Sequence, residues 1–142
     1  MNLVGSNIDI GSLDFGNETV NDTQRKIVAV ALNSESYGIS TKSGYCQAWV
    51  ADVYQAVTGK RGHAHCALCA ADMWAVSSDF SQIPVGATVY GYSSSQYGHV
   101  GIYIGNGMVA HNIGEIKIQS LESWIETYKG FAWGWENNMS LV

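Results

Sequence analysis

The chain has 142 residues, a formal net charge of −5 and no run of basic residues. This length suits one domain with a buried core, and the acidic balance disfavours binding to nucleic-acid phosphates. No apolar stretch approaches the ~20 residues that cross a bilayer, and no signal-peptide pattern opens the sequence. We therefore expect an irregular lead-in over residues 1–20 and a single domain over residues 21–142, with no membrane partner.

The predicted elements are helices first and strands afterwards. Asn21 and Gln24 have the spacing of a capping box, which indicates a helix start. Apolar residues at helical or alternating spacing then predict the remaining elements. They are helices over residues 21–33, 46–58 and 67–76, strands over 88–92, 99–104, 108–111 and 116–119, a helix over 121–127 and a closing strand over 131–135. This order predicts an α+β domain in which N-terminal helices pack on a C-terminal antiparallel sheet.

Cys46 is the main candidate for covalent chemistry. It follows the loop Ser43-Gly44-Tyr45 and opens the second predicted helix. A helix N-terminus carries partial positive charge and free N–H groups, and both favour the thiolate, which is the nucleophilic form of cysteine. The competing interpretation is a small buried hydrophobe. A histidine that opens a distant strand, His99, favours the first interpretation, because a cysteine hydrolase needs such a base.

A third polar group should hold the His99 ring in one tautomer, and the register of the next hairpin selects it. A three-residue turn over residues 105–107 places His111 diagonal to His99 on the same face, at ~7–8 Å between Cα atoms. A two-residue turn reverses the return strand and selects Asn112 instead. Gly107 suits the three-residue form. We therefore expect His111 as the third catalytic residue, with Asn112 as the alternate.

These segments resemble those of the NlpC-type cell-wall cysteine peptidases, a papain-like family related to the CHAP amidases. The resemblance covers roughly residues 22–135. It rests on Ser43-Gly44-Tyr45-Cys46, on the histidine strand and hairpin over residues 98–107, and on His111 twelve residues after His99. It implies a papain-like fold without a cofactor or a metal. It also implies hydrolysis of amide bonds in peptidoglycan stem peptides, with an upstream tyrosine, matched by Tyr37, at the oxyanion or substrate site.

The nucleophile segment departs from the family pattern at two positions. Tyr45 and Gln47 replace the Asp and Ser that bind a free N-terminal amine in the family. We expect both residues at the oxyanion or substrate site, with a stem still attached to glycan, or a cross-bridge, as the substrate. The competing functions are a papain-like module that binds wall peptides or a partner protein without cleaving, and a transferase that uses the same thioester.

The biological setting is expected to be the bacterial cell wall. A secreted hydrolase, a phage-borne lysin and an antibacterial effector all fit a domain of this kind. We expect a monomer, with a separate wall-targeting domain or an inhibitor as possible partners.

The segment His63-Ala64-His65-Cys66-Ala67-Leu68-Cys69 raises the alternative of a metal site. Structural zinc usually draws its ligands from two separated pairs, whereas these four lie within seven residues. We therefore expect Cys66 and Cys69 to be packing residues of the third helix.

Overall fold

The structure, a computed structural model, describes residues 13–93 and 95–142. Of the expected lead-in, residues 1–12 lie outside the described residues, and residues 13–20 form no helix or strand. No helix in the described part has the length and apolar character required to cross a membrane. The four α-helices there are α1 (Asp22–Leu32), α2 (Cys46–Thr58), α3 (Ala67–Trp74) and α4 (Leu121–Tyr128).

The strands of the described chain form one antiparallel sheet, against which the helices pack. Its spatial order is β1-β6-β2-β3-β4-β5, so the chain crosses over once to bring the last strand between the first two. The strands are β1 (Ala75–Ser77), β2 (Thr88–Gly91), β3 (His99–Gly105), β4 (Met108–Asn112), β5 (Ile116–Ser120) and β6 (Gly130–Gly134). The expected α+β, papain-like architecture is confirmed, and β3 lies at the centre of the sheet.

Local signals explain where the two N-terminal helices begin and end. The capping box of α1 is present, because the Asn21 side chain accepts from the Gln24 backbone N–H and the Gln24 side chain accepts in return from Asn21. Helix α2 ends at Gly59, whose left-handed conformation allows the terminal turn to close. Their apolar faces pack together and against β3, in a core that includes Ile27 and Trp49.

The third helix is shorter than predicted, and a strand follows it. Helix α3 ends at Trp74, and Ala75–Ser77 form β1, which pairs with β6. The pairing depends on Gly134, since a Cβ there would lie 2.2 Å from the carbonyl oxygen of Trp74. The prediction of helix as far as residue 76 is therefore wrong, because tertiary pairing overrides the local helical pattern.

Cys66 and Cys69 form a disulfide at the start of α3. Cys66 is also the N-cap of this helix, where its sulfur accepts from the Cys69 N–H. Both residues are half-buried. We expected both to be packing residues of the third helix and did not predict the disulfide, which forms because two cysteines three positions apart at a helix start bring their side chains together. Cys46 is the free cysteine of the described chain.

Candidate active site

Cys46 is the first residue of α2 and is half-buried at the floor of a cleft. The backbone N–H groups of Val100 on β3, and of Gln47 and Cys46 at the helix start, lie close enough to act on the thiol electrostatically. These donors favour the thiolate and lower the pKa of the thiol. Burial outweighs them, so the pKa of Cys46 is raised above its ordinary value.

The hairpin between β3 and β4 sets the face of each histidine. Gly105 pairs with Met108, so the turn has two residues, Asn106 and Gly107, and the expected three-residue turn is wrong. A bulge between Tyr103 and Gly105 gives β3 one extra residue relative to β4. Farther from the turn, Ile102 therefore pairs with Ala110. The bulge cancels the change of face that a two-residue turn would otherwise cause.

His111 therefore shares a face of the sheet with His99. Nε2 of His99 and Nδ1 of His111 are 2.8 Å apart, a hydrogen-bonding distance. Gly101 makes this approach possible, because a Cβ there would lie 3.1 Å from Cβ of His111 and 2.7 Å from Cγ1 of Val109. Since Nε2 of His99 is engaged by His111, its Nδ1 is the ring nitrogen left for the cleft.

Two aromatic residues of α4 cover the histidine pair. The ring of Tyr128 stacks on His99 with centroids 4.3 Å apart, and Trp124 lies edge-on to His111 at 6.4 Å. Trp124 and Tyr128 lie four positions apart, so they share one face of the helix. The sequence prediction missed both residues, although the helical period of this segment was a signal for their common face.

Burial favours the neutral form of both histidines. It lowers the pKa of His99 to about 4, and the neighbouring His111 adds to that shift. It also lowers the pKa of His111 to about 4, against a smaller raising effect of the hydrogen bond that His111 donates to the Gln119 amide oxygen. With the raised pKa of Cys46, the resting pair is a neutral thiol and a neutral imidazole. This differs from the thiolate that the helix N-terminus alone predicts.

The cleft that Cys46 and His99 line is large and carries no formal charge on its walls. Its volume is about 870 Å³. Of the described residues lining it, none is Asp, Glu, Lys or Arg. The lining includes serines and tyrosines, among them Ser43, Tyr45, Ser93, Tyr97 and Tyr128. Such walls offer apolar contact and neutral hydrogen-bonding groups.

The other predicted site residues lie in different surroundings. Tyr45 stands half-exposed at the rim of the cleft, where the ammonium group of Lys42 lies 5.2 Å from its ring centroid. Tyr37 is 55% exposed and, within the described chain, is not one of the residues lining the cleft. Asn112 lines the cleft, but its side chain donates to the Lys42 carbonyl and accepts from the Gly114 N–H. Asn112 therefore holds the loop before Cys46, while His111 contacts His99.

Gln47 is among the residues that line the cleft, but its side-chain amide is bonded to a buried carboxyl group. It is 5% exposed and donates from Nε2 to Oε1 of Glu136 at 2.8 Å. Glu136 is fully buried, and burial raises its pKa to about 7. Gln47 thus anchors the first turn of α2 to the C-terminal segment. Its amide nitrogen is engaged there, and we expected this residue at the oxyanion or substrate site. Its backbone N–H still favours the thiolate form of Cys46.

The alternative metal site is not assembled. Cys66 and Cys69 are bonded to each other, while His63 and His65 are exposed. In the described part of the chain, no group of three or more His, Cys, Asp or Glu side chains is placed to hold a metal ion.

The fold is that of the NlpC/p60 domains. NlpC1 from Trichomonas vaginalis superposes with a TM-score of 0.63 at 17% identity, over 88% of this chain and 48% of that one. NlpC2 from the same organism gives 0.61 at 18% identity, over 84% and 48%. The chain thus spans about half the length of these two proteins. No family model and no curated protein matches the sequence.

A third solved structure is matched over nearly the whole of its own length. It is the NlpC/p60 domain of the peptidoglycan hydrolase SagA, with a TM-score of 0.55 at 21% identity, covering 81% of this chain and 98% of that domain. The resemblance seen in the sequence motifs is therefore confirmed at the level of the fold.

Proposed function

We propose that the protein hydrolyses amide bonds in the stem peptides or cross-bridges of bacterial peptidoglycan, through a thioester on Cys46. The observation that carries the proposal is that His99, which lines the same cleft as Cys46, makes a 2.8 Å hydrogen bond to the buried His111 behind it. It is supported by the fold shared with the NlpC/p60 domain of a peptidoglycan hydrolase. A module that only bound wall peptides would not need a nucleophile, a base and an orienting group in one place.

The reaction begins from the neutral pair. As Sγ of Cys46 attacks the scissile carbonyl carbon, Nδ1 of His99 takes the thiol proton. The N–H groups at the start of α2 stabilise the oxyanion, an effect worth roughly 3–4 kcal/mol per donor in known cases. Nδ1–H of His99 then protonates the leaving amine. Water, deprotonated by His99, hydrolyses the thioester and restores the thiol.

The neutral walls of the cleft favour an internal stretch of the wall polymer as substrate. A free stem-peptide terminus would bring a charged amine or carboxylate into a cleft whose described walls offer no opposite charge. A stem still attached to glycan, or a cross-bridge, presents amides and hydroxyls instead. Tyr45, Tyr97 and Tyr128 supply rings and hydroxyls for contact with such groups.

The proposed place of action is the bacterial cell wall, for a secreted hydrolase, a phage-borne lysin or an effector. The chain is proposed to work as a monomer, because Cys46, His99 and His111 all come from one copy. Besides peptidoglycan, the proposed partners are a separate wall-targeting domain or an inhibitor.

Digestion of purified peptidoglycan from several bacteria tests this function. Wild type and Cys46→Ala are compared under reducing conditions, and the released fragments are analysed by mass spectrometry. Cys46→Ala should release nothing, while wild type should produce new amine termini whose fragment masses identify the bond. An added amine acceptor separates hydrolysis from transfer, since a transferase would yield the acceptor adduct. Equal release by both proteins, or release by neither from any wall, would overturn the proposal.

A further inference from the structure

The mechanism leaves one hydrogen bond of His111 unexplained. Nε2 of His111 lies 3.1 Å from Oε1 of Gln119 on β5. In the β4–β5 ladder, His111 pairs directly with Lys117, so Gln119 is its diagonal neighbour on the same face. His99 stands in the same diagonal relation to His111 on the other side. The three side chains therefore form a hydrogen-bonded row across three adjacent strands.

The far end of this row fixes the orientation of the Gln119 amide. Its Nε2 donates to Oγ of Ser123 at 2.8 Å and to Oγ1 of Thr127 at 3.1 Å. Ser123 and Thr127 lie one turn apart on α4, the helix that also carries the aromatic cover of the histidines. With both amide hydrogens directed at these hydroxyls, the acceptor oxygen of Gln119 faces His111.

This orientation determines where each imidazole carries its proton. An amide oxygen can only accept, so Nε2 of His111 must be the protonated nitrogen. Nδ1 of the neutral His111 ring is then an acceptor, which requires the hydrogen on Nε2 of His99. The lone pair of His99 is left on Nδ1.

We propose that Gln119 is a positioning residue that holds both histidines in their Nε2–H tautomers and keeps Nδ1 of His99 free to take the Cys46 proton. The catalytic role of Gln119 rests on the proposed function. The assignment of the two tautomers rests only on the hydrogen bonds described above. The opposite arrangement of His111 would place N–H groups of both rings against each other or leave Nδ1 of His99 protonated. The first arrangement sets two donors against each other at hydrogen-bonding distance, and the second leaves no lone pair on Nδ1 of His99 to accept the thiol proton.

Kinetics of three variants test the catalytic part. Gln119→Met removes the acceptor at similar side-chain length and should lower kcat roughly 10- to 100-fold with little change in KM, since part of the general-base contribution is lost. Gln119→Glu keeps an acceptor and should restore most of kcat at alkaline pH. Its acid limb should move to higher pH, because a carboxylate favours protonation of His111. Gln82→Met, an exposed exchange outside the cleft lining, is the control.

Nitrogen NMR of the imidazoles tests the tautomers without any activity. In ¹⁵N-labelled Cys46→Ala protein, both His99 and His111 should show protonated Nε2 and unprotonated Nδ1 at pH 7. Adding Gln119→Met should shift His111 toward a mixture of tautomers, while Gln82→Met should leave the spectrum unchanged. Thermal melts by circular dichroism verify that each variant is folded.

The outcomes separate the two proposals. A proton on Nδ1 of His111 in the Cys46→Ala protein, or equal kcat and equal spectra for Gln119→Met and Gln82→Met, would overturn the role of Gln119. The predicted spectra in a protein that cleaves no wall would sustain that role and reject the proposed function. If Gln119→Met does not fold, Gln119→Glu and the Cys46→Ala spectrum still decide.

Discussion

Replacing Glu136 with glutamine should remove a pH-dependent term from the stability of the protein. Glu136 is fully buried, and its Oε2 has no hydrogen-bond partner among the described residues. A Cβ on Gly62 would lie 2.3 Å from this oxygen, so the backbone of residue 62 closes over the carboxyl group. Burial therefore disfavours the carboxylate and raises its pKa from 4.5 to about 7.

The sign of the effect follows from proton binding. Between pH 4.5 and about 7 the folded protein holds a proton on Glu136 that the unfolded chain has lost. The stabilising contribution is thus complete below pH 4.5 and is lost as the pH rises through 7. With 1.36 kcal/mol per pKa unit, ionisation of this buried group reduces the free energy of unfolding by about 3 kcal/mol.

Glu136→Gln abolishes this titration and keeps the acceptor for the Gln47 amide. Urea unfolding, followed by the fluorescence of the five tryptophans, should be measured for both proteins at pH 4.5 and pH 8. The unfolding free energy of the variant minus that of wild type should increase by about 3 kcal/mol from pH 4.5 to pH 8, because only wild type loses stability as Glu136 ionises. Contributions of the histidines are present in both proteins and cancel in this difference.

Glu126→Gln, an exchange at an exposed position of α4, serves as the matched control. Its difference from wild type should stay within about 0.5 kcal/mol at both pH values. A Glu136→Gln difference that is independent of pH, or that falls as the pH rises, would refute the argument from burial.

The remaining predictions concern the site. The pH profile of kcat/KM should be flat through neutrality and fall only as the pH drops toward about 4, because His99 must be neutral to act as base. Iodoacetamide should modify Cys46 slowly below pH 7 and faster as the pH rises, since burial raises the pKa of this thiol; labelling kinetics by mass spectrometry check this. Gly101→Ala should destabilise the fold by about 1–3 kcal/mol in urea unfolding and lower kcat, because its Cβ would displace His111. His111→Asn should retain more kcat than His111→Ala, since asparagine can still accept from His99.

Most helices and strands could be predicted from the sequence, including the two elements on which Cys46 and His99 lie. The apolar period of α2 placed Cys46 at its first turn, and the alternation of β3 placed His99 at its start. His111 was expected on the face of His99 for an incorrect reason, since the turn has two residues and a bulge corrects the register. Hydrophobic alternation defines which side chains share a face but not where a ladder skips a residue.

The residues that surround and support the candidate catalytic residues could not be predicted from the sequence. Gln119 lies on the His111 face only once the β4–β5 register is known. The bond between Gln47 and Glu136 joins residues 89 positions apart, and no local pattern reports such a contact. The raised pKa of Cys46 has the same origin, because burial depends on what packs over the helix start and not on the helix start itself.

The most direct test of the account is a search for the thioester itself. Wild type mixed with peptidoglycan is quenched in acid, digested with a protease and mapped by mass spectrometry, with Cys46→Ala treated in parallel. If Cys46 is the nucleophile, wild type should carry a wall-peptide acyl group on the fragment that contains Cys46, and the corresponding fragment of Cys46→Ala should carry none. Wall cleavage without any adduct on Cys46, or cleavage that persists in Cys46→Ala, would contradict this role of Cys46.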